Sequence, residues 1–244
     1  MKLVLIGGGD SGTIPEKPYN LREIDERIVS ISNKAHPRLL FIGFTIRANH
    51  SFGIMKKRFM ELGAQCEYLS YLEFENQKTV DGKFKRADII YIGGGNTMYF
   101  MSKLKKFVLD EKIKESANQG KVIAGKSAGA IIISAFGSSD SRHYKKGDKK
   151  FTCAKGLGFI DLFLAPHFSS SQRRDDMPRI MRNKKSKVAI GIDNQCSLVV
   201  CDENFEIVRS NENSKVFKMF YKNEDFVIKE LENYGKVDNL IAKQ

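Results

Sequence analysis

The stretch VIAGKSAGAIII (Val122–Ile133) sets one serine between glycines at 125 and 129, with apolar residues leading in and out. A bare turn has use for the glycines but none for Ser127; an exposed nucleophile has use for both. At a sharp strand-to-helix turn a hydroxyl is pushed out at the top of a sheet, and flanking glycines relieve the crowding. The new helix also points its first N–H groups at any oxyanion forming there. Serine is a weak nucleophile until a base takes its proton, and the chain has four histidines. His36 precedes Pro37, His50 stands before a helical pattern, and His143 lies in the lysine-rich RHYKKGDKK. His167, in LFLAPHF, closes an apolar strand after a proline, which would bring its imidazole to the same sheet edge as Ser127. Together the two could perform acyl transfer through a serine ester. The carboxylate that would orient the imidazole is less determined. Asp140, in the polar turn GSSDS, competes with Asp148, Asp161 and Asp193, and Asp161 could simply cap the strand it precedes.

Two glycine loops belong to the same edge. In YIGGGNTMYF (Tyr91–Phe100), three consecutive glycines let the backbone approach a ligand and leave its N–H groups unobstructed. Asn96 or Thr97 can cap the helix that follows. GGGDSG (Gly7–Gly12) has the formal GxGxxG spacing of a dinucleotide loop, but Pro15 and Pro18 occupy the helix such a loop requires. No acidic residue closes the second strand either, so a tight turn bordering a pocket is the expected role.

These loops need strands to hold them. KLVLI, RLLFIGF, CEYL, DIIYI and KVIAG read as strands, several of them apolar throughout as central strands are. Amphipathic segments between them, such as the one with Ile24, Ile28 and Ile31 on a single face, read as helices. Alternation of this kind predicts a three-layer α/β sandwich around a mostly parallel sheet. After Asp140 the pattern changes. LFLAPHF, KVAIGID, CSLVVCD, FEIVRS and KVFKMFY follow with short turns, predicting antiparallel strands in the C-terminal third, on the same sheet or a second one. The ends of four predicted strands carry GGGDSG, GFTIRAN, GGGNT and GKSAGA, and open parallel sheets gather their chemistry at such carboxyl ends.

Composition narrows the classes. At 244 residues without linker or repeat, a single domain over 1–244 is expected. No run approaches the roughly 18 apolar residues of a membrane span, and the N-terminal run is too short for a signal peptide, so a soluble, cytoplasmic protein is expected. The cysteines (Cys66, Cys153, Cys196, Cys201) have no CxxC or zinc spacing; no metal or cofactor is expected. The net charge of +12 is spread over lysine-rich faces without an aromatic ladder, which reads as solvated surface rather than a nucleic-acid site.

GGGNT, then GKSAGA, then GLGFIDLFLAPHF stand in the order found in the peptidase E family of serine peptidases, which includes the cyanophycinases, and the region from Tyr91 to Phe168 resembles that family. LIGGGD and AIGID fit as well. The resemblance implies a fold like the class I glutamine amidotransferases, with serine in place of their cysteine. It implies Ser127 as nucleophile, His167 as base, Asp140 as orienting acid, and an oxyanion hole from Gly94, Gly95 and Ala128. It also implies a small peptide substrate with an acidic, aspartyl residue, bound with help from Asn96 and read by an arginine, for which SSSQRRDD offers Arg173 and Arg174. A serine exopeptidase or dipeptidase is the resulting expectation. The rivals are an inactive binding module of the same fold and a basic nucleic-acid-associated protein; a homodimer is left open.

Overall fold

Short apolar runs with no polar interruption bury best as strands covered on both faces. The computed structural model describes residues 1–10, 19–44, 48–142, 150–184 and 187–242. It begins with β1 (Lys2–Ile6), α1 (Arg22–Ile31), β2 (Arg38–Ile42), α2 (Ala48–Glu61), β3 (Gln65–Leu69) and α3 (Gln77–Arg86). β4 (Ile89–Ile92), α4 (Thr97–Lys106), α5 (Leu109–Asn118), β5 (Val122–Lys126) and α6 (Ala128–Ile133) complete the alternating part. The central strands are the ones read as near-continuously apolar: every residue of β4, and all of β1 after Lys2, is buried.

The remainder comprises β6 (Ser134–Ser139), β7 (Thr152–Lys155), β8 (Ile160–Pro166), α7 (Ser171–Met181), β9 (Ala189–Ile192) and β10 (Cys196–Cys201). Then follow β11 (Asn204–Arg209), β12 (Val216–Lys222), β13 (Asp225–Glu230), β14 (Tyr234–Lys236) and α8 (Val237–Ile241). These strands extend the first sheet and also build a second. The main sheet runs β14-β11-β10-β1-β5-β4-β2-β3; its β1, β5, β4, β2 and β3 are parallel, and β10, β11 and β14 join antiparallel. The second runs β13-β12-β9-β8-β6-β7, with β6, β8 and β9 parallel.

One core fills the space between the sheets, joining Leu3, Leu5 and Ile123 to Ile131, Leu164, Ile190 and Ile192. A second lies under α1 and α2, and a third under α7. Three features depart from the expected pattern: β8 and β9, read as antiparallel strands, pair in parallel, Gly137–Ser139 of the expected polar turn are the buried end of β6, and SQRRDDMPRIM is the helix α7, which buries Arg173, Met177, Ile180 and Met181. That spacing of i, i+4, i+7 and i+8 marks a helical face, although Pro178 and the charges around it obscure the pattern. No described helix is long and apolar enough to cross a membrane.

Candidate active site

Ser127 follows β5 directly, and its N–H donates to the Ile6 carbonyl at 2.9 Å, so the residue is fixed at the seam with β1. Its φ of 56° and ψ of −110° put a residue with a side chain in a region that glycine favours. Such backbone costs on the order of 1–3 kcal/mol and persists only where its surroundings impose it. The flanking glycines supply those surroundings. A Cβ on Gly125 would lie 2.4 Å from the Gly129 carbonyl, and one on Gly129 would lie 2.1 Å from that of Ile92. The turn can therefore be this tight only with glycine at both positions.

His167 follows β8, also at positive φ (52°), and its N–H donates to the Gly7 carbonyl at 3.0 Å. The two residues that the sequence places at strand ends thus both lean on the end of β1, one on each side. Their side chains meet: His167 Nε2 lies 2.8 Å from Ser127 Oγ. His167 Nδ1 lies 2.6 Å from Asn194 Oδ1. An amide oxygen only accepts, so Nδ1 carries the proton and Nε2 is left to accept from the serine hydroxyl. This is the tautomer that a general base needs. Burial holds the imidazole below its ordinary pKa; the Asn194 bond and the charge of Asp140 oppose that shift, while Arg173 and Lys126 add to it.

Asn194 has no counterpart among the residues singled out from the sequence. It sits in the turn from β9 to β10, where the chain leaves the second sheet for the first. Its carbonyl accepts from Ser214 Oγ at 2.7 Å, and the next N–H, of Gln195, donates to Gly8 at 2.9 Å. The signal was available in principle: β8 and β9 are parallel with Pro166 opposite Ile192, so the residues just beyond them must be neighbours.

The candidate acids lie elsewhere. Asp140 acts on His167 through its charge, while Asn194 holds Nδ1. Asp161 is exposed and paired with Lys187 at 2.6 Å. Asp193 accepts from the Lys215 N–H through Oδ2. Asp148 and His143 lie outside the described residues. The GGGN loop is fastened just beyond the end of β6, next to Asp140. Asn96 Oδ1 caps α4 by accepting from the Tyr99 N–H at 3.0 Å, and its Nδ2 donates to the Ser141 carbonyl at 3.0 Å. Asn96 therefore serves as cap and clamp. Gly94 packs beside Ser127, where an added Cβ would sit 3.7 Å from that of the serine. Gly95 takes a φ of 139°, and Ala128 opens α6. The first N–H groups of a helix have no partner inside it.

The phase of α7 separates the two arginines. Arg173 points inward, 4% exposed, with Nη1 donating to the carbonyl and the hydroxyl of Ser138 and its guanidinium 4.1 Å over the Phe151 ring. Its Nε is buried without a partner, and burial draws the group down to about 10. Arg174 instead lies over the rings of Phe168 and Phe217.

The geometry gives one prediction at Asn194. Activity that needs the neutral imidazole rises with pH through its pKa, so kcat/KM should climb with a midpoint below about 6.5, the ordinary value. Asn194→Asp places a negative charge at Nδ1 and stabilises the imidazolium, moving that midpoint up by about one unit or more. Asn194→Ala should leave the midpoint low and reduce kcat/KM on the order of tenfold or more through loss of tautomer control. pH–rate profiles of the three proteins check this; identical midpoints would contradict it.

The profile of peptidase family S51 matches residues 3–208. A Bacillus subtilis (strain 168) protein named as the uncharacterized peptidase YgaJ is 28% identical over 223 residues, covering 90% of this chain and 92% of that one. Peptidase E of Haemophilus influenzae (strain PittGG) is 38% identical over 112 residues, 43% of this chain and 45% of its own. Among solved structures, a peptidase from an acI-B1 Actinobacterium superposes with a TM-score of 0.68 at 21% identity, over 94% of this chain and 96% of that one. A serine at a strand-to-helix elbow, an imidazole within bonding reach of it, and a family match spanning most of the sequence lead to one assignment: the chain belongs to peptidase family S51 and is a serine peptidase.

Proposed function

We propose that the chain is an exopeptidase, of dipeptidase type, that hydrolyses small peptides with a preference for an acidic, aspartyl residue. The observation that carries this reading is the 2.8 Å approach of His167 Nε2 to Ser127 Oγ at a backbone turn that keeps the serine outside the core. His167 takes the hydroxyl proton as Oγ attacks the scissile carbonyl. The N–H groups of Gly95 and Ala128 hold the resulting oxyanion, each donor being worth about 3 kcal/mol in the transition state. His167 then gives its proton to the leaving amine, and the acyl-enzyme remains on Ser127. Water, deprotonated by the same imidazole, releases the acid and restores the serine. Asn194 keeps the imidazole in its working tautomer throughout, and the Asp140 charge favours the imidazolium that forms at each step.

Acid preference is supported by Arg173. Its Nε is a buried donor without an acceptor, and its charge reaches His167 and Asp140. A substrate carboxylate would supply the missing acceptor, and a bond between two charged groups is the stronger kind. Release of free amino acids from Asp-X, Glu-X, β-aspartyl and neutral dipeptides tests the reading. Asp-X should exceed Ala-X at least tenfold in kcat/KM, and Arg173→Met should remove most of that advantage. Equal turnover across the panel would defeat the acidic preference.

A further inference from the structure

Away from the catalytic residues, a cavity of about 400 Å³ opens between α1 and α2, lined by Tyr19, Arg22, Asp25, Arg58, Glu61 and Leu62. Its inner wall holds a carboxyl group in an unusual position. Asp25 stands next to Ile24 on the buried face of α1 and is 1% exposed. Its Oδ2 accepts from the Tyr19 hydroxyl, but Oδ1 has no hydrogen-bond partner. An acceptor left unpaired in the interior is unfavourable, and burial pushes this carboxyl up to about 7. The charges of Lys126, on β5, and Arg58 favour its ionised form without hydrogen-bonding to it.

The mouth of the cavity is complementary to its interior. The Arg58 guanidinium lies 5.8 Å over the Tyr19 ring, and Arg22 stands at the start of α1. Their present partners are neighbours on their own helices: Glu61 at 3.1 Å from Arg58, and Glu26 at 2.9 Å from Arg22. Exposed pairs of this kind contribute little, so either guanidinium is available to another carboxylate. Tyr19 touches both Asp25 and Arg58, which sets a buried acceptor and a cationic donor one tyrosine apart. A ligand matching this arrangement carries a positively charged donor and a carboxylate separated by a very short spacer.

We propose that this cavity is a second binding site, for a small zwitterion of the free α-amino-acid class, with its ammonium on Asp25 and its carboxylate on Arg58. The side chain of the ligand would lie along Leu62 and the Tyr19 ring. None of these residues takes part in the serine chemistry, so the site stands or falls independently of the substrate preference.

Calorimetric titration of the whole chain with L-alanine, L-leucine, L-aspartate and L-arginine tests it, alongside ethylamine and propionate, which each keep one of the two charges of alanine. Saturable one-to-one binding is expected for at least one amino acid, with ethylamine and propionate at least tenfold weaker than L-alanine. Asp25→Asn and Arg58→Gln should each weaken that binding at least tenfold while leaving kcat/KM for peptide hydrolysis within twofold. Arg58 is half exposed, so its variant reports even where the buried Asp25 substitution disturbs folding. The proposal is overturned if no amino acid binds, if Arg58→Gln binds as tightly as the parent, or if ethylamine matches L-alanine.

Discussion

Ser127→Ala should lower kcat/KM for peptide hydrolysis by about four orders of magnitude or more, with the thermal midpoint unchanged within a few degrees. The size follows from the proposed role: without Oγ no acyl-enzyme can form, and only binding and oxyanion stabilisation would remain, which for another serine peptidase leaves a small residual over water. Stability should hold because alanine keeps the Cβ and therefore the same strained turn, with φ at 56°. Ser127 Oγ bonds to the His167 imidazole and is not needed to fasten the elbow, which is held by the backbone bonds to Ile6 and from Ile131. Removing the hydroxyl leaves Nε2 without its donor at a half-buried site, a loss that water can make good. Steady-state assays on an aspartyl dipeptide, with a melting curve beside them, decide the matter. Activity within tenfold of the parent would show that this hydroxyl is not the nucleophile.

The legible part of the molecule was the part governed by one-dimensional rules. The central strands could be read because burial on both faces leaves no polar alternation, as in Ile89–Ile92. Ser127 was legible because a turn that excludes any Cβ at 125 and 129 writes itself as two glycines around the serine. His167 was legible by position, at the end of an apolar strand that also ends in proline. What escaped depended on which strands lie side by side. Asn194 is an amide in a turn, outside the usual inventory of acids and bases, and it meets His167 only because β8 and β9 pair in parallel. Asp140, equally distant in the chain, stands beside the Ser141 carbonyl that Asn96 holds and acts on His167 through its charge. The choice between Arg173 and Arg174 required the phase of a helix whose charges and Pro178 resemble a loop. β13 and β14 are largely exposed, and their apolar residues amount to no more than the three of Phe226–Ile228 between charges.

Gly8→Ala should cost about two to four orders of magnitude in kcat/KM while the protein still folds. An added Cβ at Gly8 would sit 2.2 Å from Asn194 Oδ1 and 2.4 Å from both Cε1 and Nδ1 of His167. These are ends of side chains, which can be displaced, unlike the Asp193 and Ile192 carbonyls that an alanine at Gly7 would strike at 2.2 and 2.5 Å. Gly8 is also not at a φ reserved for glycine, so the cost is steric and not conformational. Overpacking of this kind typically destabilises by about 1–3 kcal/mol, whereas misplacing a catalytic group by about 1 Å can alone cost a hundredfold in rate. The alanine methyl therefore acts as a wedge between the His167 imidazole and the Asn194 amide. Groups sharing such a contact are not additive. With Asn194→Ala in the same chain, one of the two collisions vanishes, and the combined loss should fall short of the product of the single losses. Full multiplication of the two, or a Gly8→Ala enzyme within threefold of the parent, would mean that the imidazole is held in place by something other than Asn194.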